Sequence, residues 1–307
     1  MSGRSKLRSR ILTCLAAVVL AAPGLVQAAA TLRIVAQPGI YFDKEGNGLT
    51  RPEDVACDGK ALVVVADTGT GRLLRYVIDG DRIEAQPEIA LPQVSYPIRL
   101  AVTSAGEIYA LDGKTRRVAR VSATGEFAGW VAPTDDPATG PSIIRAIALD
   151  GADRPYLLDI ANARVLVLGA GDRIERTIAL PAGAHSFSDL AVRGDGAVLA
   201  LETVERRLYV AKKDDTEFAP SGEPMKADLY FPTAMAFDAA GRLFIADEYG
   251  SGIAILGPDG TLRTRQSGMG WKEGRLRYPS GLCFSGSGLL FVADRENDRI
   301  EVFTVAQ

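Results

Sequence analysis

An acidic residue recurs six times along the chain, and in five of these places an arginine follows five residues later. The acids are Asp67, Asp112, Asp159, Glu202, Asp247 and Asp294, and the arginines are Arg72, Arg117, Arg164, Arg207 and Arg299. Across a strand, a turn and a strand, such side chains can form a hydrogen-bonded ion pair. Because the pattern is repeated, we interpret it as architecture rather than catalysis.

The single histidine limits the chemistry that the chain can perform. Zinc sites built from several histidines are excluded, since His185 is alone. Ser186 and Asp189 follow His185, but three residues this close on one connector do not easily reach the geometry of a catalytic triad.

One segment has the spacing of a calcium loop. Counting from Asp43 as position 1, Glu45 and Asn47 stand at positions 3 and 5, Gly48 at position 6 and Asp54 at position 12. The last ligand is Asp rather than the usual Glu, and no helices are predicted on either side. The alternative is a glycine-rich connector like residues 268–279. Calcium is the one cofactor considered, with Asp43, Glu45, Asn47 and Asp54 as candidate ligands.

The repeated acids belong to a longer repeated unit. Each acid lies 11 residues after a small residue, and the units advance by 43 to 47 residues; the small residues are Ala56, Ala101, Ala148, Ala191, Ala236 and Cys283. Each unit contains short apolar strands separated by Gly and Asp turns. A period near 45 with about four strands per unit is typical of a propeller blade, and a solenoid is the alternative. We therefore predict an all-β fold, a six-bladed β-propeller.

The last unit resembles the NHL repeat. The motif is Pro279-x-Gly-Leu, followed by Leu290-Phe-Val-Ala-Asp294-x-x-Asn297-x-Arg299-Ile. Its proline recurs at Pro52, Pro97 and Pro232, whereas Ile144 and Phe187 replace it in the third and fourth units. The resemblance covers nearly all of the chain after the N-terminal segment, and it implies six blades in a ring. Calcium lactonases of six-bladed type use a glutamate where Thr50 stands here.

The N-terminal residues 1–28 read as a signal peptide. Four basic residues precede an apolar run from Ile11 to Ala22, and Val26-Gln-Ala28 is a small-residue cleavage site. An uncleaved membrane anchor is the alternative. Cleavage leaves residues 29–307 as a single propeller domain with 31 basic and 38 acidic residues, a net charge of −7. This charge argues against nucleic-acid binding. We expect a periplasmic or secreted protein with no stable membrane insertion.

Two features bear on how the ring closes. The isolated strand 32–36 can supply the fourth strand of blade six, which otherwise ends after its third. Cys57 and Cys283 lie in the neighbouring first and last blades. They could form a disulfide, but packed sheets are about 10 Å apart, so we favour two unbonded, buried cysteines.

The residues just before the repeated small residues are predicted to line the channel mouth. The candidate binding residues are Asp54, Arg99, Arg145 and Asp189, with Tyr249 as a further candidate. Gly252 replaces the repeated arginine near Tyr249, and loss of that arginine could open space for a ligand there. Arginine can bind a carboxylate of a partner through two hydrogen bonds. The alternative is that Arg99 and Arg145 serve only as counter-ions of Asp54 and Asp189. We expect a binding scaffold for a protein or small acidic ligand; the alternative is a lactonase- or lyase-like enzyme with a metal ion at the mouth.

Overall fold

A computed structural model describes residues 32–136, 138 and 140–306. The predicted signal segment, residues 1–28, lies outside this range. The 24 strands of this part form six antiparallel four-stranded sheets, which are the six blades of a propeller. The predicted fold is confirmed.

The first three blades follow one another along the chain. Blade one contains β2 (Pro52–Cys57), β3 (Leu62–Asp67), β4 (Arg72–Asp79) and β5 (Arg82–Ala85). Blade two contains β6 (Pro97–Val102), β7 (Ile108–Asp112), β8 (Val118–Val121) and β9 (Phe127–Trp130). Blade three contains β10 (Ile144–Leu149), β11 (Pro155–Asp159), β12 (Arg164–Leu168) and β13 (Ile174–Ala179).

The remaining blades continue the same order. Blade four contains β14 (Phe187–Val192), β15 (Val198–Glu202), β16 (Arg207–Ala211) and β17 (Ala219–Ser221). Blade five contains β18 (Pro232–Phe237), β19 (Leu243–Asp247), β20 (Gly252–Leu256) and β21 (Leu262–Gln266). Blade six contains β22 (Pro279–Phe284), β23 (Leu290–Asp294), β24 (Arg299–Ala306) and, from the start of the chain, β1 (Arg33–Ile40).

The strand β1 closes the ring. It pairs antiparallel with β24, from Arg33 opposite Ala306 to Gln37 opposite Val302, and completes the sheet in the order β1-β24-β23-β22. The side chain of Gln266 in blade five binds the start of β1: Nε2 donates to Leu32 O at 2.5 Å, and Oε1 accepts from Ile34 N at 2.8 Å. The predicted closure is confirmed.

The second strand of each blade is packed on both faces. The segment Val63–Ala66 of β3 is fully buried, and its even and odd residues face different neighbouring blades. This explains why these strands are continuous apolar runs instead of alternating ones. The six apolar cores each lie between adjacent sheets.

The expectation of two unbonded cysteines is wrong. Cys57 and Cys283 form a disulfide with a Cα–Cα distance of 5.7 Å. The first strands of blades one and six approach each other at the channel, where sheets converge, so the spacing of packed sheets does not apply there. The bond joins the first blade to the last.

Within the described residues, no helix has the length and apolar character needed to cross a membrane.

Candidate functional site

A β-bulge near the start of every first strand builds the channel mouth. In each blade the first residue pairs with the repeated acid, and the register then shifts by one residue. A bulge re-aims the extra side chain. The six bulge residues are Glu53, Ile98, Arg145, Ser188, Thr233 and Ser280. All except Ser188 line a cavity of about 240 Å³ at the mouth.

Three more charged side chains enter this cavity from the turns that follow the second strands: Arg116, Glu248 and Arg295. Arg295 donates to Glu248 Oε1 at 2.8 Å and to Glu53 Oε2 at 3.4 Å. The two glutamates are thus held by one arginine. Sequence reasoning missed these three residues, although Glu248 and Arg295 directly follow the repeated acid, at the end of the blade where the connectors enter.

Arg145 and Arg116 line the same cavity as Arg295 but differ from it in their bonding. Their side chains make no hydrogen bond or ion pair with any residue in the described ranges. Burial lowers the pKa of Arg145, and the nearby charges of Arg99 and Arg116 lower it further. The part of the mouth that is lined by Arg99, Arg116 and Arg145 is therefore positively charged.

Arg99 spans the channel below the mouth. The residue is 9% exposed, and its guanidinium donates to Ile98 O at 2.9 Å and to Thr233 O of blade five at 3.3 Å. Its Nε and the buried hydroxyl of Thr233 have no hydrogen-bond partner in the described chain. Both atoms are fully buried in the wall of the mouth.

Asp54 and Asp189 do not lie at the mouth but deeper in the channel. Asp54 Oδ2 accepts from Leu100 N, and Asp189 Oδ2 accepts from Met235 N, both at 2.7 Å and both from the next blade. Burial raises the pKa of Asp54 to about 7 and that of Asp189 to about 6, although the charge of Arg99 opposes the change. Both carboxyl groups line a cavity of about 370 Å³ that opens at the other end of the channel.

The predicted binding residues are therefore divided between the mouth cavity and the channel cavity below it. Arg145 lies at the mouth, Asp54 and Asp189 lie below it, and Arg99 lines both cavities. Of the two predicted counter-ions, Arg99 is the one whose charge acts most strongly on both aspartates.

The open space predicted beside Tyr249 is filled by another side chain. Arg265 of β21 donates to Asp247 Oδ2 at 3.1 Å and to Gly250 O at 2.5 Å. A Cβ on Gly252 would lie 3.0 Å from the guanidinium carbon of Arg265. Tyr249 is 55% exposed and stacks on Phe231 at 4.4 Å, beside the mouth cavity rather than in its lining.

The four candidate calcium ligands are not brought together. The carboxylate of Asp43 accepts from Glu45 N, Asn47 N, Asn47 Nδ2 and Arg72 Nη1, at 2.7 to 3.0 Å. Burial would raise the pKa of Asp43, but these hydrogen bonds and the charge of Arg72 lower it. Asp54 is in the channel. In the described residues, no group of three or more His, Cys, Asp or Glu side chains is placed to hold a metal ion.

The repeated acid and arginine pair directly in blades one, three and six. The arginine Nε donates to the carboxylate in Arg72–Asp67, Arg164–Asp159 and Arg299–Asp294, at 2.8 to 3.1 Å. In blade two, Arg117 instead lies over the ring of Trp130 at 4.1 Å. The predicted structural ion pair between the acid and the arginine five residues later therefore forms in three of the six described blades and is absent from the other three.

The family comparison agrees with this architecture. Residues 276–303 match the model of the NHL repeat. The chain is a six-bladed β-propeller whose last blade matches the NHL repeat. No curated protein matches its sequence.

Solved structures share the fold of this NHL-repeat propeller at low identity. A streptogramin B lyase is 14% identical with a TM-score of 0.61, covering 90% of this chain and 97% of its own. A catalytically inactive virginiamycin B lyase from Staphylococcus aureus, with quinupristin, is 15% identical with a TM-score of 0.60 and coverages of 90% and 99%. A candidate gluconolactonase is 16% identical with a TM-score of 0.62 and coverages of 90% and 98%.

Proposed function

We propose that this NHL-repeat propeller is an exported binding protein that recognises an acidic group of a protein or small-molecule partner at its channel mouth. The observation that carries the proposal is the arrangement of Arg116 and Arg145. Both line the 240 Å³ cavity, and neither has an acceptor in the described part of the chain.

The chemistry of the mouth suits a carboxylate or a similar anion. A guanidinium presents planar donors that match two oxygens at once. Arg99 also lines this cavity and adds a third positive charge beside Arg116 and Arg145. Arg295 pairs with both Glu53 and Glu248. Four arginines and two glutamates line the cavity, so its formal charge is +2.

Export is supported by two observations. The first is the signal-like segment of residues 1–28. The second is the disulfide between Cys57 and Cys283, because disulfides form and persist in oxidising compartments.

The test is an anion titration of a variant that lacks the two free guanidinium groups. We expect calorimetry with succinate or inorganic phosphate to show binding to the wild type, and Arg116→Gln/Arg145→Gln to weaken it at least about tenfold, since each hydrogen bond to a charged group contributes about 1.5–3 kcal/mol. Arg99 is unsuitable for this test, because its removal would leave Asp54 and Asp189 without their main counter-charge.

A matched control removes two arginines at the other end of the blades. Arg193 and Arg242 pair with Asp195 and Asp238 there, so Arg193→Gln/Arg242→Gln changes the net charge equally and should leave the affinity unchanged. No anion binding by the wild type, or equal binding by the mouth variant, would exclude the mouth as the site.

An enzyme remains the second candidate, favoured by one observation. Asp54 and Asp189 are buried carboxyl groups with pKa values of about 7 and about 6 in a shared cavity, which suits general acid–base chemistry. A lactonase- or lyase-like activity would depend on them, with or without a metal ion. Asp54→Asn/Asp189→Asn should then abolish turnover while anion binding at the mouth persists. Metal analysis of the purified protein would test the calcium alternative.

A further inference from the structure

Glu202 in blade four is held differently from the acids of the other five blades. In each of those blades, a backbone N–H from the connector before the first strand donates to the acid at 2.6 to 3.1 Å; the donors are Thr50, Tyr96, Ile143, Phe231 and Arg277. Glu202 instead accepts from Glu205 N, in its own turn, at 2.5 Å. No connector N–H among the described residues reaches it.

Glu202 also lacks the guanidinium that most other acids have. Arg72, Arg164, Arg265 and Arg299 each donate to the acid of their blade. Arg207 stands directly opposite Glu202 in the register of β15 and β16, yet the two form no ion pair, and Arg207 Nε is buried without a partner. The longer side chain of glutamate lets its carboxylate accept from the backbone of its own turn instead.

The connector that precedes the first strand of blade four leaves a cavity beside Glu202. A space of about 470 Å³ is lined by the connector residues 181–186 and by Glu202, Val204, Glu205, Tyr209 and Pro220. We call it the blade-four pocket. It shares no lining residue with the mouth cavity or with the channel cavity.

Two buried polar side chains line the blade-four pocket without enough partners. Glu202 is 3% exposed and its carboxylate accepts from the backbone of its own turn, at Glu205 N, while burial raises the pKa of the carboxyl. Tyr209 is 7% exposed; its ring packs edge-on against Phe187 at 5.4 Å, and its hydroxyl has no partner in the part of the chain that is described. The Tyr209 hydroxyl and the second oxygen of Glu202 are not among the fully buried atoms, so both are acceptors that a donor in the pocket could reach.

We propose that the blade-four pocket binds the guanidinium group of a ligand, which supplies the interaction that four other blades make with their own arginine. The carboxylate of Glu202 and the hydroxyl of Tyr209 are acceptors for the planar donors of a guanidinium. The apolar lining from Pro181, Val204 and Pro220 suits the methylene stem of an arginine side chain. Glu205 is engaged by Lys226 and so contributes less.

The site is independent of the anion site at the mouth, and it calls for a ligand of opposite charge. A partner that carries both an acidic group and an arginine could use both, but the blade-four pocket is tested alone. The probe is N-acetyl-arginine methylamide, and the neutral citrulline analogue of the same shape is its control. Because burial raises the pKa of Glu202, the titration is done at pH 8, which favours its carboxylate form.

We expect the wild type to bind the arginine probe at least tenfold more tightly than the citrulline probe. Glu202→Gln should remove this preference, and Tyr209→Phe, which deletes only the hydroxyl, should weaken binding several-fold. Arg116→Gln/Arg145→Gln should have no effect, which separates this site from the proposed function. Melting curves of each variant confirm folding.

The Arg207→Ala variant distinguishes the proposal from its main alternative, in which Arg207 itself pairs with Glu202. If Arg207 swings onto Glu202 in solution, the pocket is already satisfied, and only the Arg207→Ala variant will bind the arginine probe. That outcome overturns the proposal, as does equal binding of the arginine and citrulline probes by the wild type, or retained preference in Glu202→Gln. Unchanged or tighter binding by Arg207→Ala, together with binding by the wild type, supports it.

Discussion

Arg265 donates from Nη2 to Asp247 Oδ2 at 3.1 Å, and this guanidinium comes from the outermost strand of blade five, not from the third strand as in blades one, three and six. The repeated acid has therefore kept its counter-ion although position 252 is glycine. Blade five thus makes the same interaction in space from a different position in the sequence.

Arg265→Ala should destabilise the protein. Asp247 is fully buried. Removing the Arg265 side chain deletes a hydrogen bond to this buried charge, at a cost of about 2 kcal/mol. Urea denaturation measures the change in unfolding free energy. Arg263→Ala, on the same strand, is the control: its ion pair with Asp259 is half-exposed on both sides, so it should cost less than about 1 kcal/mol. Equal effects of the two variants would show that Arg265 does not replace the missing arginine.

Deleting residues 31–37 should destabilise the ring and cause aggregation. The deletion removes the continuously paired residues of β1, Arg33 to Gln37, from blade six and exposes most of the edge of β24. Ile34 and Leu32 pack against the core between blades five and six, so the loss should reach about 3 kcal/mol or more. Melting temperature and light scattering are the measurements.

A point variant of the same strand provides the comparison for this deletion. Val35 is largely exposed, so Val35→Thr should change stability by less than about 0.5 kcal/mol. A deletion variant that melts like the parent protein would contradict the closing role of β1.

Reduction of the disulfide should lower stability. The bond links positions 226 residues apart, and in the chain-entropy model a loop of this size is worth up to about 5 kcal/mol. Urea denaturation with and without reductant should show a lower midpoint when the bond is reduced. The midpoint of the Cys57→Ala/Cys283→Ala variant should be the same with and without reductant. Alkylation of the denatured, unreduced protein should leave both cysteine peptides unlabelled; two labelled peptides would contradict the bond.

The channel carboxyls should make stability fall as pH rises toward neutrality. The folded pKa of Asp54 is about 7 and that of Asp189 about 6, above the unfolded value of about 3.9. Between about pH 4 and pH 7 the folded state therefore binds more protons, and their contribution to stability decreases with pH. Relative to the wild type, Asp54→Asn/Asp189→Asn should become progressively more stable from pH 4.5 to pH 8.

Asp195 provides the control for this pH dependence. A hydrogen bond from Arg193 lowers the pKa of Asp195 to about 2, so its contribution is complete above about pH 4 and is lost only at lower pH. Asp195→Asn should therefore differ from the wild type by a constant amount from pH 4.5 to pH 8. A constant difference for the channel double variant as well would argue against raised pKa values in the channel.

The architecture could be predicted from the sequence because it rests on local, repeated signals. The spacing of 11 residues between the small residue and the acid places them on adjacent strands, and the apolar runs mark strands buried on both faces. The unpaired strand before blade one and the missing strand of blade six indicated closure. Each of these inferences needs only strand geometry and the cost of an open sheet edge.

The candidate sites were decided by the tertiary structure. Which residues face the mouth depends on a bulge in each first strand, and a shift of one residue separates Arg145 at the mouth from Asp54 and Asp189 below it. Arg265 replaces a residue 13 positions earlier, and Cys57 meets Cys283 from the opposite end of the chain. Such contacts depend on the convergence of blades around a common axis, which the order of residues along one blade does not specify.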